Sequence, residues 1–232
     1  MTLKVDSERY ENGGLGYKVV LSEEMASVQD YLDALNDALE TLALSRSREE
    51  REKCRGCDIC CAERIPLTSI DLKVLAQSPA VKEVLKKVGS KEEEVLATMI
   101  RRFCHVYVNG NTVDITLRLG EDGKCLFLNR ETRTCSLYYF RPFVCQTYIC
   151  SPASREALEL RKAVVNPGED ELVRQWLNYA QKTSLSLWFD AADDPEVALE
   201  DWTSDSPFTG KDSYTQVLLK EVLPPGLWSR LK

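Results

Sequence analysis

The chain has 232 residues, a net charge of −7 and a pI near 5.0, with nine cysteines and a single histidine. That length is ample for a buried core, so metal or disulfide staples are not needed for size alone. An odd cysteine count, about 4% of the residues, disfavours a disulfide framework. The acidic balance argues against nucleic acid as the main partner, because phosphate backbones are bound by Lys and Arg displacing counterions. The longest run without a charged residue, Pro142 to Ser154, has 13 residues, short of the ~20 that a spanning helix needs. The start, MTLKVDSERYENGG, lacks a basic stretch followed by an apolar one, so no secretory signal is read there. These features predict a cytoplasmic chain without a membrane span, in which clustered thiols stay reduced and available to metal, with thiol redox chemistry as the second reading.

In chain order, the first 20 residues read as short strands around a Gly13, Gly14, Gly16 turn. From Leu21 the apolar residues Leu21, Met25, Val28, Leu32, Leu35, Leu39 and Leu42 recur at spacings of four and three. That is one stripe of a helix, with Ser22 as its N-cap and Glu23 and Glu24 in its first turn. Ordinary intramolecular packing is favoured over a dimer seam. The bases Arg46, Arg48, Arg51, Lys53 and Arg55 alternate with Glu49, Glu50 and Glu52, the pattern of a solvated helix face. Three short helices follow, started by Thr68 with Asp71, Ser78 with Pro79, and Ser90 with Glu93, with a stop at Gly89. Val106 and Val108, an Asn109-Gly110 turn and the alternating Val113, Ile115, Leu117 and Leu119 predict a hairpin. Beyond Ser151 the chain reads as helices: SREALELRKAVV, then EDELVRQWLNYAQKTSLSLWF, then a shorter one from Thr215 to Val222 ending at Pro224-Pro225.

The chemistry lies in the cysteines. Cys54, Cys57 and Cys60 repeat a two-residue spacing, and Cys61 follows directly. A tight turn, suited by Gly56, lets such thiolates face one ion, and three on one loop form the arm used by ferredoxin-type iron–sulfur sites. The three-then-two spacing of radical-SAM proteins is absent. Neighbouring side chains diverge in extended backbone, so one of Cys60 and Cys61 is expected to serve a second site. A second group, Cys125, Cys135, Cys145 and Cys150, comes after 63 intervening residues. Turn signals at Glu121 to Gly123 and Asn129 to Arg133 let the chain fold back and bring these cysteines together. Four plus four suggests two tetrathiolate sites, or one cluster with spare structural thiols.

Cys104, followed by His105, reads as a buried cysteine beside a hydrogen-bonded histidine. One imidazole excludes a His-rich catalytic zinc, while a carboxylate base stays open. Arg141 is placed to offset the negative charge of a thiolate-rich site, and Tyr138 and Tyr139 read as packing residues.

These blocks resemble a known family, the CxxCxxCC proteins with a zinc- or iron-chelating domain. The resemblance rests on Cys54-x2-Cys57-x2-Cys60-Cys61, on Pro66-Leu67-Thr68 with Asp71, on Cys125-Leu-Phe-Leu, on Cys135-x-x-Tyr138 and on Arg141-Pro142-x-x-Cys145. It implies eight metal-directed cysteines, namely Cys54, Cys57, Cys60, Cys61, Cys125, Cys135, Cys145 and Cys150. The metal it implies is an iron–sulfur cluster, such as 4Fe-4S, or Zn. Some family members are associated with lysine methylation of flagellin, which keeps a protein-lysine methyltransferase, with a protein substrate, as an alternative. The Gly13, Gly14, Gly16 run lacks the spacing of a G-x-G-x-x-G fingerprint. Metal storage or delivery, motivated by the eight thiolates, is a third class. The expected architecture is α+β: an N-terminal strand and helix segment over 1–53, a cysteine-rich metal-binding centre with a small β-hairpin over 54–150, and a C-terminal helical segment over 151–232.

Overall fold

The computed structural model describes residues 2–11, 13–45, 57–89, 91–184, 186–202 and 205–232. The charged stretch from Arg46 to Arg55, the Gly56 turn, Cys54 and Ser90 therefore lie outside the described residues. The fold is a mixed α and β structure, as the patterning predicts, with small sheets wrapped by helices.

Strands β1 (Leu3–Arg9) and β2 (Leu15–Leu21) form the N-terminal hairpin, paired antiparallel from Leu3 opposite Leu21 to Arg9 opposite Leu15. Leu3 and Val5 face Val19 and Leu21 on the buried side, the period-2 pattern of a half-buried sheet. The helix expected from Leu21 starts later, as α1 (Val28–Thr41). Its N-cap is Ser27 rather than Ser22: Ser27 Oγ accepts from Asp30 N at 3.1 Å, and the Asp30 carboxylate accepts from Ser27 N at 2.7 Å. This reciprocal pair satisfies two donors at the helix start and fixes where it begins. Leu21 is held in strand pairing and Met25 lies exposed between the two elements, so the apolar stripe crosses a strand end before it enters a helix. Val28, Leu32 and Leu35 are buried within the chain itself.

Two of the three expected caps, Thr68 with Asp71 and Ser78 with Pro79, are where the sequence puts them, whereas the third, Ser90, lies outside the described residues. Helix α2 (Ser69–Ala76) is capped by Thr68 and Asp71, α3 (Pro79–Leu85) by Ser78, and α4 (Glu92–Phe103) starts after Lys91. Strands β3 (Cys104–Asn109) and β4 (Thr112–Leu117) form the predicted hairpin. Gly110 takes a φ of 57° at its turn, a conformation that favours glycine. The chain before α2 runs beside β4, with Leu67 N donating to Ile115 O at 3.0 Å and Leu117 N to Ile65 O at 2.8 Å. A short hairpin, β5 (Leu128–Asn129) with β6 (Thr134–Cys135), and a one-turn helix, α5 (Phe143–Thr147), complete this region.

The C-terminal part differs from the sequence expectation. The two predicted helices are one, α6 (Arg155–Thr183), which runs through Pro167. A proline inside a helix leaves the carbonyl four residues earlier without its helical donor; the helix continues here, with Ser206 Oγ donating to the Pro167 carbonyl at 3.0 Å and Gly168 letting it lie tight on Thr68 and Phe208. The expected extension through SLSLWF is absent. Ser184 ends α6 in a left-handed conformation, and β7 (Ala191–Asp193) then adds to β3 in parallel, giving the order β4-β3-β7. The predicted helix from Thr215 shortens to a 3-10 turn at Tyr214–Gln216 and α7 (Leu219–Val222). A further helix, α8 (Pro225–Leu231), starts at Pro224-Pro225, where the sequence predicts an end, since proline is well tolerated in a first helical turn. Residues buried in β2, α1, β4, α6 and the C-terminal helices belong to one core.

Candidate metal centre

The cysteines are delivered by several short elements and the loops between them. Cys60 and Cys61 sit in a 3-10 turn over Cys60–Ala62, just after Cys57. Cys125 N donates to Cys61 O at 2.6 Å, which ties the first cysteine group directly to the second. Asp58 reinforces the junction through an ion pair with Arg133, with Lys124 4.0 Å away. Arg133 and Gly123 take positive φ angles at the two predicted turns, and Asn129 Oδ1 accepts from Glu131 N and Thr132 N. Those turns fold β6, with Cys135, back beside β5 and place Cys125 next to Leu119. Cys145 comes from α5, and Cys150 follows it.

The result is one cavity of about 70 Å³ lined by Cys57, Cys60, Cys61, Cys125, Cys135, Cys145 and Cys150. The expected divergence of Cys60 and Cys61 is not seen: both line the cavity, because their backbone is coiled in a 3-10 turn rather than extended. The other lining residues are apolar or aromatic, such as Ile65, Leu117, Leu137 and Ile149, apart from Arg141. No imidazole or carboxylate joins the thiols there among the described residues. Cys104 stands apart, fully buried at the start of β3 with its Sγ 3.7 Å from Met99 O. Its neighbour His105 places Nδ1 3.4 Å from Asp190 Oδ2.

Among the described residues, no three Cys, His, Asp or Glu side chains converge tightly enough to grip an ion as placed. The donor chemistry nevertheless fits a thiophilic metal, since soft sulfur ligands select zinc and iron–sulfur sites. The Cys60 thiol is pushed up by its hydrogen bond with Cys61 and by burial. Burial likewise raises Cys135, Cys145 and Cys125, the last to about 11, and neighbouring thiols add to the effect. Buried, crowded thiols hold their protons, and a cation among them reverses that balance, so that binding expels protons and draws the sulfurs together. Arg141 acts in the same direction as a cation: its charge lowers Cys60 and Cys135. It is fixed by stacking over Tyr138, 4.4 Å from the ring centroid, by Nε donating to Tyr138 O at 3.0 Å and by Nη2 reaching Asn36 Oδ1 at 3.4 Å.

Behind the cysteines lies a buried polar knot, of which local sequence shows only the helix cap. Asp71 is fully buried. Its carboxylate accepts from Thr68 N at 2.9 Å, Phe143 N at 2.7 Å and Tyr214 OH at 2.8 Å. Tyr214 in turn lies 2.6 Å from Thr68 Oγ1. The Phe143 bond anchors the first turn of α5, the helix that carries Cys145, to α2. The signal for this role was the Thr68-x-x-Asp71 cap, but the distant donors Phe143 and Tyr214 leave no trace in local sequence.

No curated protein and no solved structure matches the chain. Residues 53–167 match the family model CxxCxxCC, described as "Putative zinc- or iron-chelating domain". That span holds both cysteine groups, the Asp71 anchor and the first half of α6. The match and the convergence of thiols from both halves on one cavity agree, and residues 53–167 of this chain are a CxxCxxCC metal-chelating domain.

Proposed function

We propose that Cys57, Cys60, Cys61, Cys125, Cys135, Cys145 and Cys150, with Cys54 from the same arm, hold an iron–sulfur cluster in a cytoplasmic protein. The observation that carries this reading is the convergence of seven thiols, with no imidazole or carboxylate among the described residues, on a single cavity assembled from both cysteine groups. The Cys54, Cys57, Cys60 spacing supports iron–sulfur ligation over zinc. A bound cluster supplies a cross-link between distant loops and a site for one-electron transfer. Arg141 offsets the charge of the thiolates, while Ile65, Leu117, Leu137 and Ile149 limit water around the sulfurs.

The test is anaerobic purification followed by visible spectroscopy and analysis for iron, acid-labile sulfide and zinc. Coloured protein with matching iron and sulfide is expected, and reversible bleaching by dithionite supports electron transfer. Colourless protein with stoichiometric zinc would overturn the cluster and leave a zinc-chelating domain.

A further inference from the structure

Away from the cysteines, α2, α4 and α6 enclose a second cavity of about 480 Å³, within the roughly 300–1,000 Å³ of small-molecule sites. One wall is apolar, built by Leu72 and Ala76 of α2 and Leu96 and Met99 of α4. From α6 comes Arg174, whose guanidinium is locked on one edge by a buried acid. Its Nε donates to Glu171 Oε2 at 2.8 Å and its Nη2 to Glu171 Oε1 at 2.7 Å. Glu171 is 1% exposed and also accepts from Gln175 Nε2 at 2.8 Å and Thr209 Oγ1 at 3.0 Å. Four donors fill the acceptor sites of that carboxylate, so it has none left for a ligand cation.

The outer edge of Arg174, formed by Nη1 and the second N–H of Nη2, has no partner among the described residues. Ser69 also lines the cavity, and its buried Oγ has no hydrogen-bond partner among the described residues. The other cations there are paired, Lys73 with Asp212 and Glu92, and Lys182 with Glu93. A fixed two-pronged donor thus stands beside an apolar wall.

We propose that this cavity binds a small monocarboxylate with an apolar body. Its carboxylate takes the outer edge of Arg174, and its tail lies on Leu72, Ala76, Leu96 and Met99. A planar carboxylate matches the parallel N–H groups of a guanidinium edge in the bidentate geometry that distinguishes Arg from Lys. Because the Arg174–Glu171 pair is neutral and Glu92 and Glu93 also line the cavity, a singly charged head is favoured over a multiply charged phosphate.

The experiment is isothermal titration of the full chain with octanoate, beside 1-octanol as tail without head and acetate as head without tail. Saturable binding of one octanoate per chain is expected, with both controls weaker by about tenfold or more. Arg174→Lys keeps a cation for Glu171 but loses the second edge, and Ala76→Phe fills the apolar end. Each is expected to weaken octanoate about tenfold or more while bound metal stays unchanged. Absence of saturable binding, octanol binding as tightly as octanoate, or undiminished affinity in Arg174→Lys would overturn the assignment. Circular dichroism establishes that each variant is folded; should Ala76→Phe fail to fold, Arg174→Lys and the ligand comparison decide.

Discussion

Replacing Asp71 by Ala tests whether the knot behind the cysteines holds the two halves of the centre together. In the wild type, three donors converge on this carboxylate in a site closed to water. After truncation Tyr214 OH still has Thr68 Oγ1 at 2.6 Å, whereas the amides of Thr68 and Phe143 lose their acceptor. A stranded buried donor costs ~1–3 kcal/mol, so the pair amounts to about 4 kcal/mol at neutral pH, a large share of a ~5–15 kcal/mol domain stability. The deficit also depends on pH. Burial raises the Asp71 carboxyl from its ordinary 3.8 to about 6, so the folded state holds this proton more tightly than the unfolded state. The associated stability is fully present below pH ~4 and is lost as pH rises through about 6. Asp71→Ala lacks that contribution, and its deficit relative to wild type should widen as pH falls from about 6 towards 4. Urea unfolding followed by circular dichroism, extrapolated to water at several pH values, measures both effects. A loss under ~1 kcal/mol at neutral pH, or a deficit that narrows in acid, would show that the Asp71 carboxyl does not anchor α5.

Gly168→Ala should destabilise by ~1–3 kcal/mol despite the ~1 kcal/mol that Ala gains over Gly as a helix former. Its Cβ would lie 2.6 Å from Thr68 Cγ2 and 2.7 Å from Thr68 Cβ, atoms fixed by the Asp71 knot; a raised melting temperature would contradict this. Burial pushes the Glu169 carboxyl from 4.5 up to about 8, with Asp114 and Asp170 adding to the rise. Its contribution is therefore present below pH ~4.5 and declines as pH rises through about 8, by on the order of 3 kcal/mol after a discount for partial exposure. Glu169→Gln should flatten that slope, and parallel denaturation curves for the two proteins across this window would count against it. Cys57→Ser should remove most of the bound metal while Cys104→Ser retains it, as measured by elemental analysis. Equal loss in both would show that Cys104, 0% exposed in the core, holds metal together with the lining thiols.

Most local signals were legible, the Ser27 and Asp30 capping box of α1 being the exception. The Thr68 and Ser78 caps, the Asn109-Gly110 turn and the two fold-back turns before Cys125 and Cys135 depend on side chains meeting backbone a few residues away. The reading failed where a distant partner decides. Leu21 carries helical spacing but is claimed by Leu3 across the N-terminal hairpin. Asn166-Pro167-Gly168 looks like a break, yet α6 continues because Ser206 and Phe208 from the later chain pack on that turn. The run after Ser184 looks helical but ends in β7, which pairs with the open edge of β3. Periodicity describes which face is apolar; it does not say which neighbour will cover that face.

Residue type and spacing set the sulfur-rich character of the centre through two groups of four cysteines, a lone histidine and the CxxCxxCC pattern. Tertiary structure decided that seven of those thiols line one cavity, that Cys60 and Cys61 share it, and that Cys104 belongs to the core. It also decided that Asp71, read as a cap, anchors the helix bearing Cys145. Spacing along a chain sets which atoms can meet across a turn, whereas convergence of loops separated by 63 residues is fixed only when the intervening helices and strands bury their apolar faces together.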